Sequence, residues 1–326
     1  MNLVGIDIGG TKIALCVRES TGIVHEIARF RTGPPEVALG RIFRALDPMA
    51  KGGETVFGIA CGGPMNAPGG RIFSPPNLPG WDDVPIVDLL ERRLGGRAFL
   101  MNDANANALA EWRYGAGRGT RSMIFLTAGT GMGAGLILDG RLYEGTSGDA
   151  GEVGHMRLAA AGPVGYGKAG SFEGFCSGGA IPQLVRFLPR ADRPPDVASW
   201  LRRHPTTRDV GAAARRGDRV ARRVLTEAGR RLGEALAVLL DVLNPECVVL
   251  GTVYRANRAF LTPAMEAVLE RETLPAARRA CRILPAGLGR QLGNYGALCA
   301  AAYRLGSLEG LSLPTRPAGG PALPSG

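Results

Sequence analysis

Asp7-Ile8-Gly9-Gly10-Thr11-Lys12 joins two apolar runs, residues 3–8 and 13–17, whose length and flanking glycines are those of β-strands. Two adjacent glycines let backbone N–H groups come close to an anion, and Thr11 and Lys12 add further donors. The turn therefore reads as a phosphate-holding loop. It also reads as a Gly-Gly hairpin turn, which is common, although an Asp followed by Gly-Gly-Thr-Lys is more than a hairpin requires. There is no GxxxxGK[ST] run, so the loop is not of the Walker A type.

Working outward, residues 23–30 complete a three-stranded antiparallel meander. A helix over 36–46, a strand over 56–60, a Gly- and Pro-rich passage over 61–81, a helix over 86–94, a strand over 98–101 and a helix over 104–114 follow. These elements predict a first α/β lobe over 1–116. Residues 115–121 hold three glycines and no bulky apolar side chain, which predicts a hinge.

A second lobe, 117–293, repeats the opening theme with a strand over 122–127, a glycine loop over 128–135 and a returning strand over 136–139. In Thr127-Ala128-Gly129-Thr130-Gly131-Met132-Gly133-Ala134-Gly135 glycine falls at every other position. Four glycines weaken a strand, and close approach by a ligand is the simplest reason for them. A glycine-rich loop over 162–179 leads to helices over 181–187, 210–216 and 219–243, a strand over 247–250, a helix over 263–271 and a strand over 282–284. A closing helix over 294–305 is expected to pack back on the first lobe. Residues 313–326, rich in Pro, Gly and Ala, are expected to be disordered.

Composition narrows the class. The 326 residues, 45% of them hydrophobic, suffice for two cores. The opening residues lack a secretory signal and no run nears 18 apolar residues, so a cytoplasmic protein without membrane attachment is expected. Six cysteines without a CxxC pair read as buried free thiols. The net charge is +10, yet lysine occurs only at 12, 51 and 168 and the arginines share helices with acidic residues. Such diffuse charge predicts a solvated surface and no nucleic-acid partner.

Three acidic clusters could do chemistry. Asn102-Asp103 stands where a strand ends and a helix begins, the edge at which α/β folds place ligands. One of the two caps the helix, or Asp103 serves as a general base toward a hydroxyl. Glu152 and His155 lie three residues apart in Glu152-Val153-Gly154-His155, as a surface ion pair, half of a metal site, or ligands of neighbouring sugar hydroxyls. Glu173, set between glycines in Gly170-Ser171-Phe172-Glu173-Gly174, suits the last role too.

In order, these pieces resemble the ROK family of sugar kinases and sugar-responsive repressors, within the actin, hexokinase and heat-shock-protein 70 superfamily. The resemblance rests on the DxGGTK loop at Asp7, Pro76-Asn77-Leu78-Pro79-Gly80-Trp81, the NDANA run at Asn102, the GTGxGxG loop at Gly129 and ExGH at Glu152. It implies a two-lobed actin-like ATPase (ribonuclease H-like) α/β fold with a cleft between lobes. It implies Asp103 as catalytic base, and Gly63, Asn102, Asp103, Glu152, His155 and Glu173 around the sugar. ATP would be held by Asp7, Gly9, Gly10, Thr11, Lys12, Gly129, Thr130 and Gly131, with Mg²⁺ between Asp7 and the phosphates. The implied activity is ATP-dependent phosphorylation of a hexose or amino sugar at a terminal hydroxyl, glucose by family frequency, in a homodimer.

Two departures qualify that expectation. Family members commonly hold zinc with the counterpart of His155 and three cysteines, whereas Val164, Tyr166 and Ser171 occupy those positions here. One imidazole without thiolates cannot build a tetrahedral site, so no zinc is expected; Val164, Tyr166 and Phe172 are expected to hold the loop by apolar packing, with Tyr166 steadying His155. Leu250-Gly251-Thr252-Val253 stands where relatives carry a Gly-Gly pair near the adenine. Two alternatives to turnover remain, a sugar-sensing regulator and a pseudokinase. The first strand begins at Leu3, which leaves no room for a leading helix-turn-helix, and retention of Asp103, both loops and ExGH favours the enzyme.

Overall fold

The computed structural model describes residues 2–19, 21–49, 55–308 and 310–312, so the 313–326 tail lies outside the described residues. The chain divides into two compact units, Met1–Gly119 with Gly287–Gly326, and Thr120–Ala286.

In the first unit β1 (Asn2–Ile8), β2 (Lys12–Arg18) and β3 (Val24–Arg31) form the expected meander. They are followed by α1 (Pro35–Leu46), β4 (Thr55–Cys61), the short β5 (Met65–Asn66) and β6 (Arg71–Ile72), α2 (Ile86–Leu94), β7 (Arg97–Asn102) and α3 (Asp103–Tyr114). The sheet order is β3-β2-β1-β4-β7, with β4 parallel to β1 and β7 parallel to β4. Their near-continuous apolar runs are what a sheet covered on both faces requires. Register brings Ile8 beside Cys61 and Cys61 beside Asn102. The C-terminal ends of three parallel strands thus form one edge, from which the turn after Ile8, Gly63 and Asp103 all emerge.

The second unit repeats this plan. Strands β8 (Met123–Ala128), β9 (Met132–Leu138) and β10 (Arg141–Tyr143) make a meander, and a hairpin of β11 (Val164–Gly165) and β12 (Lys168–Ala169) precedes α4 (Phe172–Cys176). Helices α5 (Val197–Arg202), α6 (Thr207–Arg215) and α7 (Arg219–Leu243) lead to β13 (Cys247–Leu250), α8 (Thr252–Glu272), α9 (Pro275–Ala280) and β14 (Arg282–Pro285). The order β10-β9-β8-β13-β14 matches the first sheet, with β13 parallel to both β8 and β14.

Several expectations are corrected. The glycine loop expected over 128–135 is only Gly129-Thr130-Gly131, because pairing with β8 continues from Met132 onward. The 181–187 helix is 3-10. The helix expected over 263–271 begins at Thr252 and runs through Pro263, with Asn257 alone non-helical and its Nδ2 donating to the Val253 carbonyl at 3.1 Å. The boundary between the two units falls after Gly119, within the stretch 115–121 expected to be a hinge, and at its start the N–H groups of Gly115 and Gly117 both donate to the Glu111 carbonyl.

The last helix among the described residues is α10 (Leu292–Arg304), whose small buried residues Ala297 and Ala301 lie against β1 and β4 at Gly5 and Gly58. A Cβ at Gly58 would fall 1.9 Å from the Ala297 carbonyl oxygen, so helix and sheet meet backbone to backbone. Each unit has its own apolar core, around Ile6, Phe57, Ile59 and Trp81 in the first and Ile124, Phe175, Leu236 and Leu240 in the second. All six cysteines are buried and free. Among the described residues no helix is long and apolar enough to cross a membrane.

Candidate functional site

In the first unit the shared strand edge gathers Asp7, Gly63, Asn102 and Asp103. Asn102 Oδ1 accepts the N–H of Ala104 at 2.9 Å and of Asn105 at 3.4 Å, which satisfies the orphan donors of α3. Asn102, not Asp103, is thus the cap. Its Nδ2 points toward Gly63, 3.8 Å from where a Cβ there would stand.

Burial raises the pKa of Asp103 above the ordinary carboxylate range, partly offset by the N–H groups of Ala104 and of Asp103 itself. Asp7 is pushed up to about 6, first by burial and then by the charge of Asp103, against the opposing pull of Lys12 and Arg29. A buried carboxylate whose ionisation a neighbouring carboxylate makes harder is one whose charge a hard, oxygen-preferring cation would relieve. Asp7 therefore fits a divalent cation. Behind it stands Gly293, where a Cβ would fall 2.1 Å from Asp7 Oδ2.

The Asp7 loop closes with Gly9 N–H donating to the Lys12 carbonyl at 3.0 Å, so that amide is spent within the turn. Thr32 Oγ1 donates to the Gly9 carbonyl at 2.5 Å and Thr32 N–H to that of Thr11 at 3.2 Å. Gly10 packs on Asn77 of the PNLPGW run, and the run is anchored by Trp81, fully buried with Nε1 donating to the Gly33 carbonyl at 3.0 Å. Sequence reasoning missed Thr32, Asn77 and Gly293 as supports of the loop.

In the second unit the turn Gly129-Thr130-Gly131 likewise spends the N–H of Gly129 on the Gly131 carbonyl at 3.1 Å. From outside, Gly178 N–H donates to the Gly129 carbonyl at 2.8 Å and Gly179 N–H to that of Thr130 at 3.3 Å. Glu173 Oε2 accepts the N–H of Met132 at 2.9 Å, a link no sequence pattern announced. Glu152 and His155 are exposed at either end of a short 3-10 turn over Val153–His155.

The hairpin that departs from the zinc pattern is held differently from expectation. Val164 is 50% and Tyr166 52% exposed, so of the three apolar side chains only Phe172 is packed inside. The β11–β12 pairing turns at Tyr166 (φ 45°) and Gly167 (φ 73°), the left-handed geometry of a two-residue hairpin. Arg157 donates to the Ala169 carbonyl at 2.8 Å, Lys168 Nζ to that of His155, and Ser171 Oγ, wholly buried, accepts the Gly174 N–H at 3.1 Å. The Tyr166 ring meets the His155 ring edge-on at 5.0 Å. Among the described residues no group of three or more His, Cys, Asp or Glu is placed to hold a metal ion.

A family model described as "ROK family" matches residues 3–303. A glucokinase of Thermotoga maritima is 31% identical over 316 residues, covering 94% of this chain and 99% of the relative. The crystal structure of a ROK family glucokinase from Streptomyces griseus in complex with glucose and AMPPNP superimposes with a TM-score of 0.75 at 30% identity, over 93% of this chain and 100% of that one. A xylose repressor of Caldicellulosiruptor bescii is 30% identical over 261 residues, 77% of this chain and 65% of that protein.

Proposed function

The chain belongs to the ROK family, and from that premise we propose that it is an ATP-dependent hexose kinase in which Asp103 takes the proton of the acceptor hydroxyl. The observation that carries this reading is the division of labour at the strand edge, where Asn102 caps α3 while Asp103 stands in a desolvated position with a raised pKa. A carboxylate with a raised pKa is a stronger base, and phosphoryl transfer asks for little else than positioning and charge stabilisation.

As the sugar oxygen attacks the γ-phosphorus, its proton passes to Asp103 and the bond from the γ-phosphorus to the bridging oxygen breaks, releasing ADP. Asn102, Glu152, His155, Glu173 and the backbone at Gly63 orient the sugar through its hydroxyls. The backbones of the Gly9-Gly10-Thr11 and Gly129-Thr130-Gly131 turns, with Lys12, meet the phosphates. Asp7 would hold Mg²⁺, which when bound neutralises charge on the phosphoryl oxygens. Glucose is the first acceptor to try, since the Thermotoga maritima relative is a glucokinase and the Streptomyces griseus structure contains glucose.

A regulatory reading is favoured by one observation, the similarity to a xylose repressor. A coupled ADP-release assay over glucose, mannose, fructose, xylose, allose and N-acetylmannosamine, with Asp103→Asn as control, separates the two. Turnover on at least one sugar that vanishes in the control supports the kinase. Sugar binding with no turnover above the control supports the regulator.

A further inference from the structure

Glu173 stands where three chain segments meet in the second unit. Its Oε2 accepts the N–H of Met132, the residue at which the Gly129-Thr130-Gly131 turn becomes β9. The turn that follows α4 grips the other side of that loop, through Gly178 N–H on Gly129 and Gly179 N–H on Thr130. One short stretch, 173–179, therefore holds the loop at both ends.

The surroundings are shaped around this carboxylate. A Cβ at Gly131 would lie 2.9 Å from Glu173 Oε2, and a Cβ at Gly165 2.8 Å from the Glu173 Cβ. A Cβ at Gly154, on the turn that carries Glu152 and His155, would lie 2.4 Å from the Met132 carbonyl oxygen and 3.4 Å from the Glu173 Cβ. Three segments thus forgo a side chain where they pass the Glu173–Met132 link. The link uses Oε2 and leaves Oε1 for a hydroxyl.

We infer that Glu173 is a positioning residue for the donor loop, through which binding of the acceptor sugar orders the phosphate-holding turn Gly129-Thr130-Gly131. This rests on the kinase reading above. A sugar hydroxyl donating to Oε1 fixes the carboxylate's rotamer, and the fixed Oε2 in turn pins the Met132 amide. The ordering entropy of the loop is then met when the sugar binds, and the nucleotide that follows no longer bears it. By linkage, the nucleotide tightens the sugar by the same factor.

The test is calorimetry on the full chain, measuring the affinity of AMPPNP with Mg²⁺ in the absence and presence of saturating sugar, the sugar being whichever the acceptor panel identifies. Wild-type protein should bind AMPPNP about 5-fold or more tightly with sugar present, the lower end of ordinary coupling. Glu173→Ala should bring that factor to about one and weaken AMPPNP without sugar, whereas His155→Ala should weaken the sugar yet keep the factor. A wild-type factor of one, or a factor that survives Glu173→Ala, overturns the inference. Should Glu173→Ala lose the sugar altogether, hydrogen exchange at amides 129–132 of the sugar-free protein decides, with unchanged protection counting against it. Absence of turnover on every sugar removes the kinase reading and this inference together; turnover without coupling removes only the inference.

Discussion

Asn102 accepts the backbone N–H of Ala104 at 2.9 Å, so α3 is capped by the residue before Asp103 and the two side chains do separable work. Stability belongs to Asn102, and Asp103 can be altered without uncapping the helix.

From this separation, Asp103→Asn should lower kcat by about 100-fold or more, the usual worth of a general base, while the melting temperature at neutral pH should not fall below that of wild type, since burial already disfavours the charge of Asp103. Asn102→Ala should instead cost about 1 kcal/mol of stability as a lost cap and raise KM for the sugar. Steady-state kinetics beside thermal melts check both. An Asp103→Asn protein with unimpaired kcat would remove the proposed base.

Asp7 links both stability and activity to pH. Its folded-state pKa of about 6 lies above the ordinary 3.8, so between those values the folded protein keeps a proton that the unfolded chain has released. Stability therefore falls as pH rises through that window and stays lowered above it. Asp7→Asn should raise the melting temperature of the ligand-free protein at pH 8, by about 2–4 °C if roughly 1 kcal/mol is recovered, and leave it unchanged below pH 4. The same variant should lose Mg²⁺-dependent turnover. In wild type, turnover should decline as pH drops through about 6, where Asp7 becomes protonated.

Gly293 leaves Asp7 its place, since a Cβ there would stand 2.1 Å from Oδ2. Gly293→Ala should push the carboxylate aside and raise the Mg²⁺ concentration needed for half-maximal rate several-fold, with KM for the sugar little changed. Titration of MgATP at fixed sugar reads this directly, and an unaltered Mg²⁺ requirement would detach Asp7 from the metal.

The hairpin at 164–169 is held by backbone pairing and by Ser171, whose buried hydroxyl accepts the Gly174 N–H at the start of α4. Overnight dialysis against a zinc chelator should leave the melting curve unchanged, and Ser171→Ala should cost about 1 kcal/mol. Stoichiometric zinc in the purified protein would contradict the first expectation.

The first meander, the strand-turn-strand that repeats in the second unit and both turns were legible because runs of strand length ending in Gly-Gly-Thr or Gly-Thr-Gly admit few local alternatives, whereas β10 was not. The Asn102-Asp103 step was legible for the same reason, being an abrupt change from strand to helix period. What stayed hidden depends on partners distant in the chain. Met132 meets Glu173 through its amide, and a backbone N–H has no side-chain signature. Pro263 read as the start of a helix, yet α8 begins at Thr252 and continues past Asn257 and Pro263, because Asn257 donates to the Val253 carbonyl and tertiary packing on α7 carries the rest. Tyr166 is exposed because it sits at the turn of a hairpin with positive φ, a constraint its hydrophobicity does not reveal.

Glu111 was equally hidden, because two of its three partner amides lie far along the chain, at Gly287 and Leu288, and it supports the final prediction. It is fully buried, with Oε2 accepting the N–H groups of Ala116 at 2.8 Å and Gly287 at 3.0 Å, and Oε1 that of Leu288 at 2.9 Å. Ala116 precedes the point at which the chain leaves the first unit after Gly119, and Gly287 is where it returns. One carboxylate therefore fastens both connecting stretches, and a Cβ at Gly115 would lie 2.0 Å from Oε2, so the chain turns tightly around it. Hydrogen bonds to a charged acceptor each contribute about 1.5–3 kcal/mol, and a buried N–H left unmet carries its own desolvation cost. Glu111→Ala strands the buried Leu288 amide and exposes two others to whatever water can reach them, so a loss of about 3 kcal/mol or more in urea unfolding is expected. Glu111→Gln keeps one oxygen but turns an NH₂ toward the remaining donors, and should lose less than the alanine variant while remaining clearly below wild type. Equal stability of wild type and Glu111→Gln would mean that the charge contributes nothing, and a loss under about 1 kcal/mol for Glu111→Ala would mean that water satisfies these amides as well as the carboxylate does.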